Sequence, residues 1–454
     1  MPFDTIVVNG RVILPLTGET RATIAIQGGK IAALLDPSLA AEAAETIDAA
    51  GNIVFPGAID PHEHIGFVGR PLTEIATETR SAAIGGVTTV IMYHLKSEPY
   101  DASFADLQAH IQRLAHVDVA AHFGAYVDQH IQEMGHYIRD FGVSSFKFFM
   151  HFKGEEAAKR GLTNIDEGFM YEFMTALARF PGAVANVHAE NIEVIWAFEK
   201  RAQAQGLQGL AAWNAARPGF AEADNVHTAY TLSQLTGCPV YIVHMSSAES
   251  VQVARRFKQS GARVYVETCP QYLTLTVDSP CGVLAKVVPP VRTAEDNAAL
   301  WAAVADGTVD TIATDHSGRG SQHKQGDIWE AGNAFPGVGT MLPLMISEGY
   351  HKGRVSLKRI AEVTSYNAAR IFNLYPRKGT IQPGSDADLT IVDLDQERVV
   401  DPAYLQSEAD YSPWEGWTVR GWPVRTMVRG QTVMLDGEIV GAPGYGAYVR
   451  RDLP

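Results

Sequence analysis

The stretch Ile53-Val-Phe-Pro-Gly-Ala-Ile59 runs directly into Asp60-Pro-His62-Glu-His64. An apolar, strand-like run thus ends in two imidazoles two residues apart. On an extended chain such residues point the same way, so His62 and His64 can grip one ion. Seven more apolar runs follow, over residues 87–93, 117–126, 143–149, 183–188, 239–244, 262–267 and 309–315. Stretches with helical spacing separate most of them, among them 193–204 and 225–235. Continuous apolar strands alternating with helices predict a parallel sheet covered on both faces. Eight such units predict an α/β fold closed into a (β/α)8 TIM barrel.

The polar residues fall at the ends of these runs. The fifth ends Asn186-Val-His188-Ala-Glu190, the sixth Ile242-Val-His244 and the eighth Ala313-Thr-Asp315-His316. The fourth carries Lys147. In a barrel the C-terminal strand ends converge on one face, where active sites are built. Taken singly, each residue is ordinary. A lone buried histidine is more often a hydrogen-bonded core imidazole than a ligand, and Asp315 alone could cap a helix. Chance rarely places the whole set at the correct ends of separate strands, so the set reads as a metal site. The other histidines, among them His94, His110, His122, His136, His227 and His351, read as surface residues or as supports behind the site.

Lys147 needs a separate argument, because an unpaired ammonium in an apolar run is costly. One outcome is a depressed pKa and a Schiff base. The other is covalent conversion to an anion that ligates metal. Four imidazoles and one carboxylate bring little negative charge to a pair of divalent ions. The histidines therefore favour the second outcome.

Both chain ends have a different texture, with short alternating strands and turn dipeptides such as Asn9-Gly10 and Gly28-Gly29. Two separate minimal sheets would be marginal, so the termini are expected to pair into one small β-sandwich. The expected division is 1–54 and 379–454 for that sandwich and 55–378 for the catalytic barrel. The chain has 454 residues, 46% apolar and 19% charged, which suits a folded protein with a large core. A net charge of −14 argues against nucleic acid or an anionic membrane as partner. The apolar runs are too short for a membrane span, and residues 1–10 do not resemble a signal peptide. Three cysteines without CxxC spacing read as reduced thiols of a cytoplasmic protein, not as a zinc site.

These motifs resemble the amidohydrolase superfamily, and within it the cyclic amidohydrolases: hydantoinases, dihydropyrimidinases, allantoinases and dihydroorotases. Pro56-Gly-Ala-Ile-Asp-Pro-His-Glu-His64 is similar to the family's first-strand motif, and Ser145-Phe-Lys147 to its carbamylated-lysine motif. Val187-His-Ala-Glu-Asn191, Val243-His-Met-Ser-Ser247 and Ala313-Thr-Asp-His316 resemble the remaining ligand motifs. Glu267-Thr-Cys-Pro-Gln-Tyr-Leu273 and Pro289-Pro-Val-Arg292 resemble hydantoinase segments. Asp327-Ile-Trp-Glu-Ala-Gly-Asn333 and Tyr411-Ser-Pro-Trp414 are most similar to L-hydantoinases and allantoinases.

The resemblance implies two divalent metals, zinc first, with manganese or cobalt as alternatives. His62, His64 and Asp315 would hold one ion and His188 and His244 the other. Lys147, N6-carboxylated by CO2, would bridge them. Asp315 would also take the proton of the attacking water and pass it to the leaving nitrogen. The backbone at Val288 and Asn333 would hold the ureide edge of a small cyclic amide or ureide. Family habit implies a homotetramer or homodimer. One departure is Phe152, which stands where many relatives carry a tyrosine that donates to the oxyanion; phenylalanine cannot donate. Either the metal alone carries that charge or another donor does, and His151 is adjacent.

Loops 65–72, 94–100 and 151–162 should frame the pocket; they carry Phe67, Val68, Leu95 and Phe152, which either line it or pack the loops onto the barrel, and Arg70, which either leaves an opening for an anionic substrate or is solvated. The expected function is ring opening of 5-substituted hydantoins to N-carbamoyl amino acids. Allantoinase and dihydropyrimidinase are rival readings. A non-catalytic scaffold relative is a more distant one, because all six ligand positions are kept.

Overall fold

The computed structural model of the protein describes residues 2–67, 69–158, 162 and 165–453. At its centre lie eight parallel strands: β1 (Ala58–Glu63), β2 (Val87–His94), β3 (Asp118–Gly124), β4 (Ser145–Phe149), β5 (Val184–His188), β6 (Val240–Ile242), β7 (Val264–Thr268) and β8 (Thr311–Ile312). Each pairs with the next in chain order. The ring closes just beyond β8. Glu63 bridges His316 in parallel, His64 N–H donates to His316 O at 2.8 Å, and His316 N–H donates to His62 O at 3.3 Å. This is the (β/α)8 barrel that the eight apolar runs predict.

The strands are buried on both faces, as a filled barrel wrapped in helices requires. Local signals set where the helices begin. Asn191 accepts from Val194 N–H at the head of helix Ile192–Ala204, and Ser247 accepts from Ser250 N–H at the head of Ala248–Gln259. Both caps follow within three residues of a predicted ligand, so they fix how the chain leaves β5 and β6. Thr293 and Asp296 form a reciprocal capping box for helix Ala294–Asp306. Among the described residues, no helix is long and apolar enough to cross a membrane.

The first apolar run divides in two. Ile53–Pro56 pairs with Leu389–Val399 and with Arg11–Leu14 in a seven-stranded sheet, while β1 opens the barrel. Gly57 sits between them, where an added Cβ would lie 2.2 Å from the Thr88 hydroxyl. The run is uniformly apolar because both halves are buried, so hydropathy alone shows no break. A second, four-stranded sheet holds Lys30–Leu35, Thr23–Gln27, Phe3–Val8 and Ala43–Asp48. The two sheets share an aliphatic core that includes Val7, Ile24, Ile26, Val54, Leu389 and Ile391. The two ends of the chain thus form one β-sandwich.

A buried charge cluster fastens this sandwich to the barrel. Lys378 Nζ lies 2.7 Å from Asp118 of β3, 2.5 Å from Asp388 and 3.3 Å from Asp386. Arg429 also pairs with Asp118. Burial would raise the Asp118 carboxyl, but Lys378 and Arg429 outweigh it and hold it below its usual value. Lys378→Met would leave these carboxylates short of their buried cation. Breaking such a pair costs about 3–5 kcal/mol. The variant should lose that much stability in urea unfolding, and an unchanged midpoint would show that the cluster does not hold the two parts together.

Candidate functional site

The predicted ligands meet at the C-terminal mouth of the barrel. His62, near the end of β1, and His64, just beyond it, direct their Nε2 atoms at the same carboxylate oxygen: Asp315 Oδ1 lies 3.0 Å from each. The two Nε2 atoms are 3.3 Å apart. His244 joins them, and donor atoms of His62, His244 and Asp315 all lie within 4.8 Å of one another. His188 stands beside His244, with ring centroids 4.5 Å apart. Its Nε2 is 2.7 Å from Glu190 Oε2, which leaves Nδ1 as the nitrogen that could ligate. His244 and Asp315 both have left-handed backbones, with φ of 40° and 54°. That conformation is uncommon outside glycine and often marks functional sites.

Glu267 organises the cluster from below. Its Oε1 lies 2.7 Å from His62 Nδ1 and accepts the His244 backbone N–H at 2.8 Å. Its Oε2 accepts from the Tyr241 hydroxyl at 2.8 Å. Carboxylates that orient ligand imidazoles in this way are a regular feature of metal sites. In the sequence Glu267 stands within a motif but carries no mark of this role. The available signal was a carboxylate ending an apolar strand. His122, expected either at the surface or as a support behind the site, takes the second place. It is fully buried beneath the site, stacked on Tyr93 and 3.0 Å from Pro61 O.

Lys147 is completely buried on β4, and its Nζ has no hydrogen-bond partner among the described residues. It lies 4.5 Å from the Tyr93 ring centroid and 4.8 Å from that of Phe149. Burial pushes its amine down to about 7. Much of it is then the neutral amine, the form that attacks an electrophile such as CO2.

The residues present suit a divalent metal. Burial pushes His64 down to about 4, and His188 and His244 well below the usual imidazole range. Neutral imidazole is the ligating form. At His62 burial acts the same way, but Glu267 and Asp315 outweigh it and raise the group. Two carboxylates around one imidazole call for a cation there. The buried Nδ1 atoms of His64 and His244 and the Lys147 amine all lack hydrogen-bond partners among the described residues. Imidazole nitrogens with a carboxylate are the donor set of zinc and its neighbours.

A cavity of about 270 Å³ opens over these groups. Phe67, Phe152, Val288 and Asn333 all line it, as does His151, whose ring centroid is 4.1 Å from that of His188. Phe152 stacks on Phe149 at 4.4 Å, so the tyrosine position is filled by an apolar ring. Two of the loop residues do not line the cavity. Leu95 packs against the core instead of lining the cavity. Arg70 pairs with Glu74 and donates to Gly318 O, which holds it away from the cavity. Val68 lies outside the described residues. Arg319, which the sequence reading passed over, does line the cavity and reaches Phe67 O at 3.4 Å. It belongs to the segment after β8, where no apolar pattern marks it.

Comparison with known proteins agrees with this arrangement. The amidohydrolase family profile matches residues 53–433. The chain is 37% identical to the L-hydantoinase of Paenarthrobacter aurescens, over 99% of this chain and 98% of that one. It is 35% identical to the D-hydantoinase of Geobacillus stearothermophilus, over 98% and 96%. The solved structure of the L-hydantoinase (dihydropyrimidinase) of Arthrobacter aurescens superimposes with a TM-score of 0.91 at 36% identity, covering 99% of this chain and all of that one. By fold, ligand geometry and full-length similarity, the chain belongs to the amidohydrolase family, among its hydantoinase-type cyclic amidohydrolases.

Proposed function

We propose that this protein opens 5-substituted hydantoins to N-carbamoyl amino acids. The observation that carries the reading is the meeting of His62, His64, His244 and Asp315 beside the buried amine of Lys147, beneath a cavity walled by Phe67 and Phe152. Relatives named L-hydantoinase and D-hydantoinase support the reaction class. In this reading His62, His64 and Asp315 would hold one divalent ion and His188 and His244 the other, and N6-carboxylated Lys147 would supply the shared anionic ligand. Zinc suits the donors best, with manganese or cobalt as alternatives. Bound ions would supply a Lewis acid and bring the pKa of water to about 7.

The protein's own groups do the rest. Asp315 takes a proton from the attacking water as the carbonyl carbon gains oxygen. It returns that proton to the ring nitrogen as the C–N bond breaks. Glu267 keeps His62 and His244 in register throughout. The backbone at Val288 and Asn333 holds the ureide edge. Phe67 and Phe152 cover the substituent and exclude water. Phe152 cannot steady the oxyanion, and His151, adjacent in sequence and also lining the cavity, is the donor assigned that task in its place. The same reading takes the protein as a cytoplasmic homo-oligomer. Its three free cysteines, two of them buried, suit a reducing compartment.

Three outcomes test the reading. Lys147→Ala should lose most bound metal, measured by elemental analysis, and most activity, with partial recovery in short carboxylic acids. Two tightly held ions and normal turnover in that variant would remove the bridging role. Asp315→Asn keeps an oxygen ligand but removes the base. Its kcat should fall by about 10²–10⁴-fold, more than its metal content falls. A metal-replete Asn variant with near-normal kcat would exclude the proton transfer. Across substrates, burial of an aryl or alkyl substituent against Phe67 and Phe152 is worth roughly 1–3 kcal/mol. Such hydantoins should therefore show a higher kcat/KM than allantoin, dihydrouracil or dihydroorotate, and fastest turnover on allantoin would reverse the ranking.

A further inference from the structure

Beside the catalytic cavity lies a second cleft, and His151, Val288 and Asn333 line both. Its other walls include Trp196, Trp329 and the pair Arg217 and Lys286. Trp213 forms the floor between those two cations: Arg217 Cζ and Lys286 Nζ each lie 4.3 Å from its ring centroid. Both residues are buried.

Their charges are poorly balanced. Among the described residues, Lys286 Nζ donates only to main-chain carbonyls, Ala331 O at 2.5 Å and Trp329 O at 3.5 Å. Lys324 lies behind it and donates to Lys286 O and Gly332 O. Among the described residues, neither lysine has a carboxylate within ion-pair distance. Arg217 reaches one, Glu190 at 3.6 Å, but His188 already holds that side chain at 2.7 Å. Among the described residues, Arg217 Nε and Nη1 make no hydrogen bond. Three buried cations thus have one carboxylate at ion-pair distance, Glu190, while Glu199 on the cleft wall and Asp327 act on Lys286 only from farther off. Burial pushes Lys286 down to about 8 and Lys324 to about 7, as expected where a counter-anion is missing. Guanidinium and ammonium groups beside indole walls suit an organic acid with an apolar body.

We propose that this cleft is a second binding site, for the carboxylate of the ring-opened product as it leaves the catalytic cavity. The inference rests on the ring-opening reading, because that reaction turns a neutral ring into an anion next door to these cations. An uncharged substrate gains nothing from Arg217 and Lys286, whereas the product does. The cleft therefore favours departure over return.

The test uses metal-loaded enzyme turning over a 5-benzylhydantoin with added N-carbamoyl-phenylalanine or its uncharged primary amide. Product bound at the metals competes with substrate, so occupancy of the cleft appears as a noncompetitive component. That component is expected for the acid. The amide should bind roughly tenfold more weakly, the size of one charge-assisted contact. Lys286→Met and Arg217→Gln should each remove the noncompetitive component. Tryptophan fluorescence titration with the same two compounds reads the cleft directly, and acid and amide can be compared in the wild type without any variant. Purely competitive inhibition, or equal affinity for acid and amide, would overturn the proposal. Absence of turnover on every hydantoin would instead strike the ring-opening reading, and the titration would still report on the cleft.

Discussion

The seam between the first and last barrel strands is the contact on which the site depends. Asp60, fully buried, accepts the backbone N–H of His62 and of Thr314, each at 3.1 Å, and pairs with the Thr314 hydroxyl. With the exchange between His64, His316 and His62, this carboxylate locks β1 to the residues after β8. Only that closure brings Asp315 to 3.0 Å from both His62 and His64, across some 250 residues of chain. Without it the histidine pair would face a gap in the ring.

Around this seam carboxylates stand behind the rings of His62, His188 and His316, while the Nδ1 atoms of His64 and His244 have no hydrogen-bond partner among the described residues. Glu267 holds His62 and the turn at His244, Glu190 holds His188, and Glu78 lies 2.7 Å from His316. Such partners choose which ring nitrogen faces inward and limit ring rotation. Lys147 differs in kind, because its amine has no hydrogen-bond partner among the described residues and lies against the rings of Tyr93 and Phe149. The contrast is chemical. The imidazoles arrive ready to ligate, whereas the lysine must be changed first, and a dry aromatic pocket keeps its amine neutral enough to react.

The cavity above is neither wholly apolar nor wholly polar. Its lining includes apolar rings, Phe67 and Phe152, the latter stacked on Phe149. It also includes polar groups, Asn333, Ser317 and Arg319, of which Arg319 reaches Phe67 O. A small ring with one greasy substituent and one ureide edge suits such a mixed lining. The cation-rich cleft adjoins the cavity at His151, Val288 and Asn333.

The sequence by itself determined the barrel and the ligand set, because both are written in short-range patterns. Apolar runs of strand length set the architecture, and histidines two residues apart at a strand end set a metal grip. The turn-rich termini likewise announced a shared sandwich. Tertiary structure decided everything that depends on who faces whom. The split of the first run at Gly57 was hidden because both halves are equally buried. Glu267 drew its role from partners 23 and 205 residues away. Leu95 and Arg70 sit on loops where sequence shows composition but not direction, and there packing chose core and ion pair over cavity. Arg217 and Lys286 come from distant segments and carry no shared motif, so only the fold could set them on either side of Trp213.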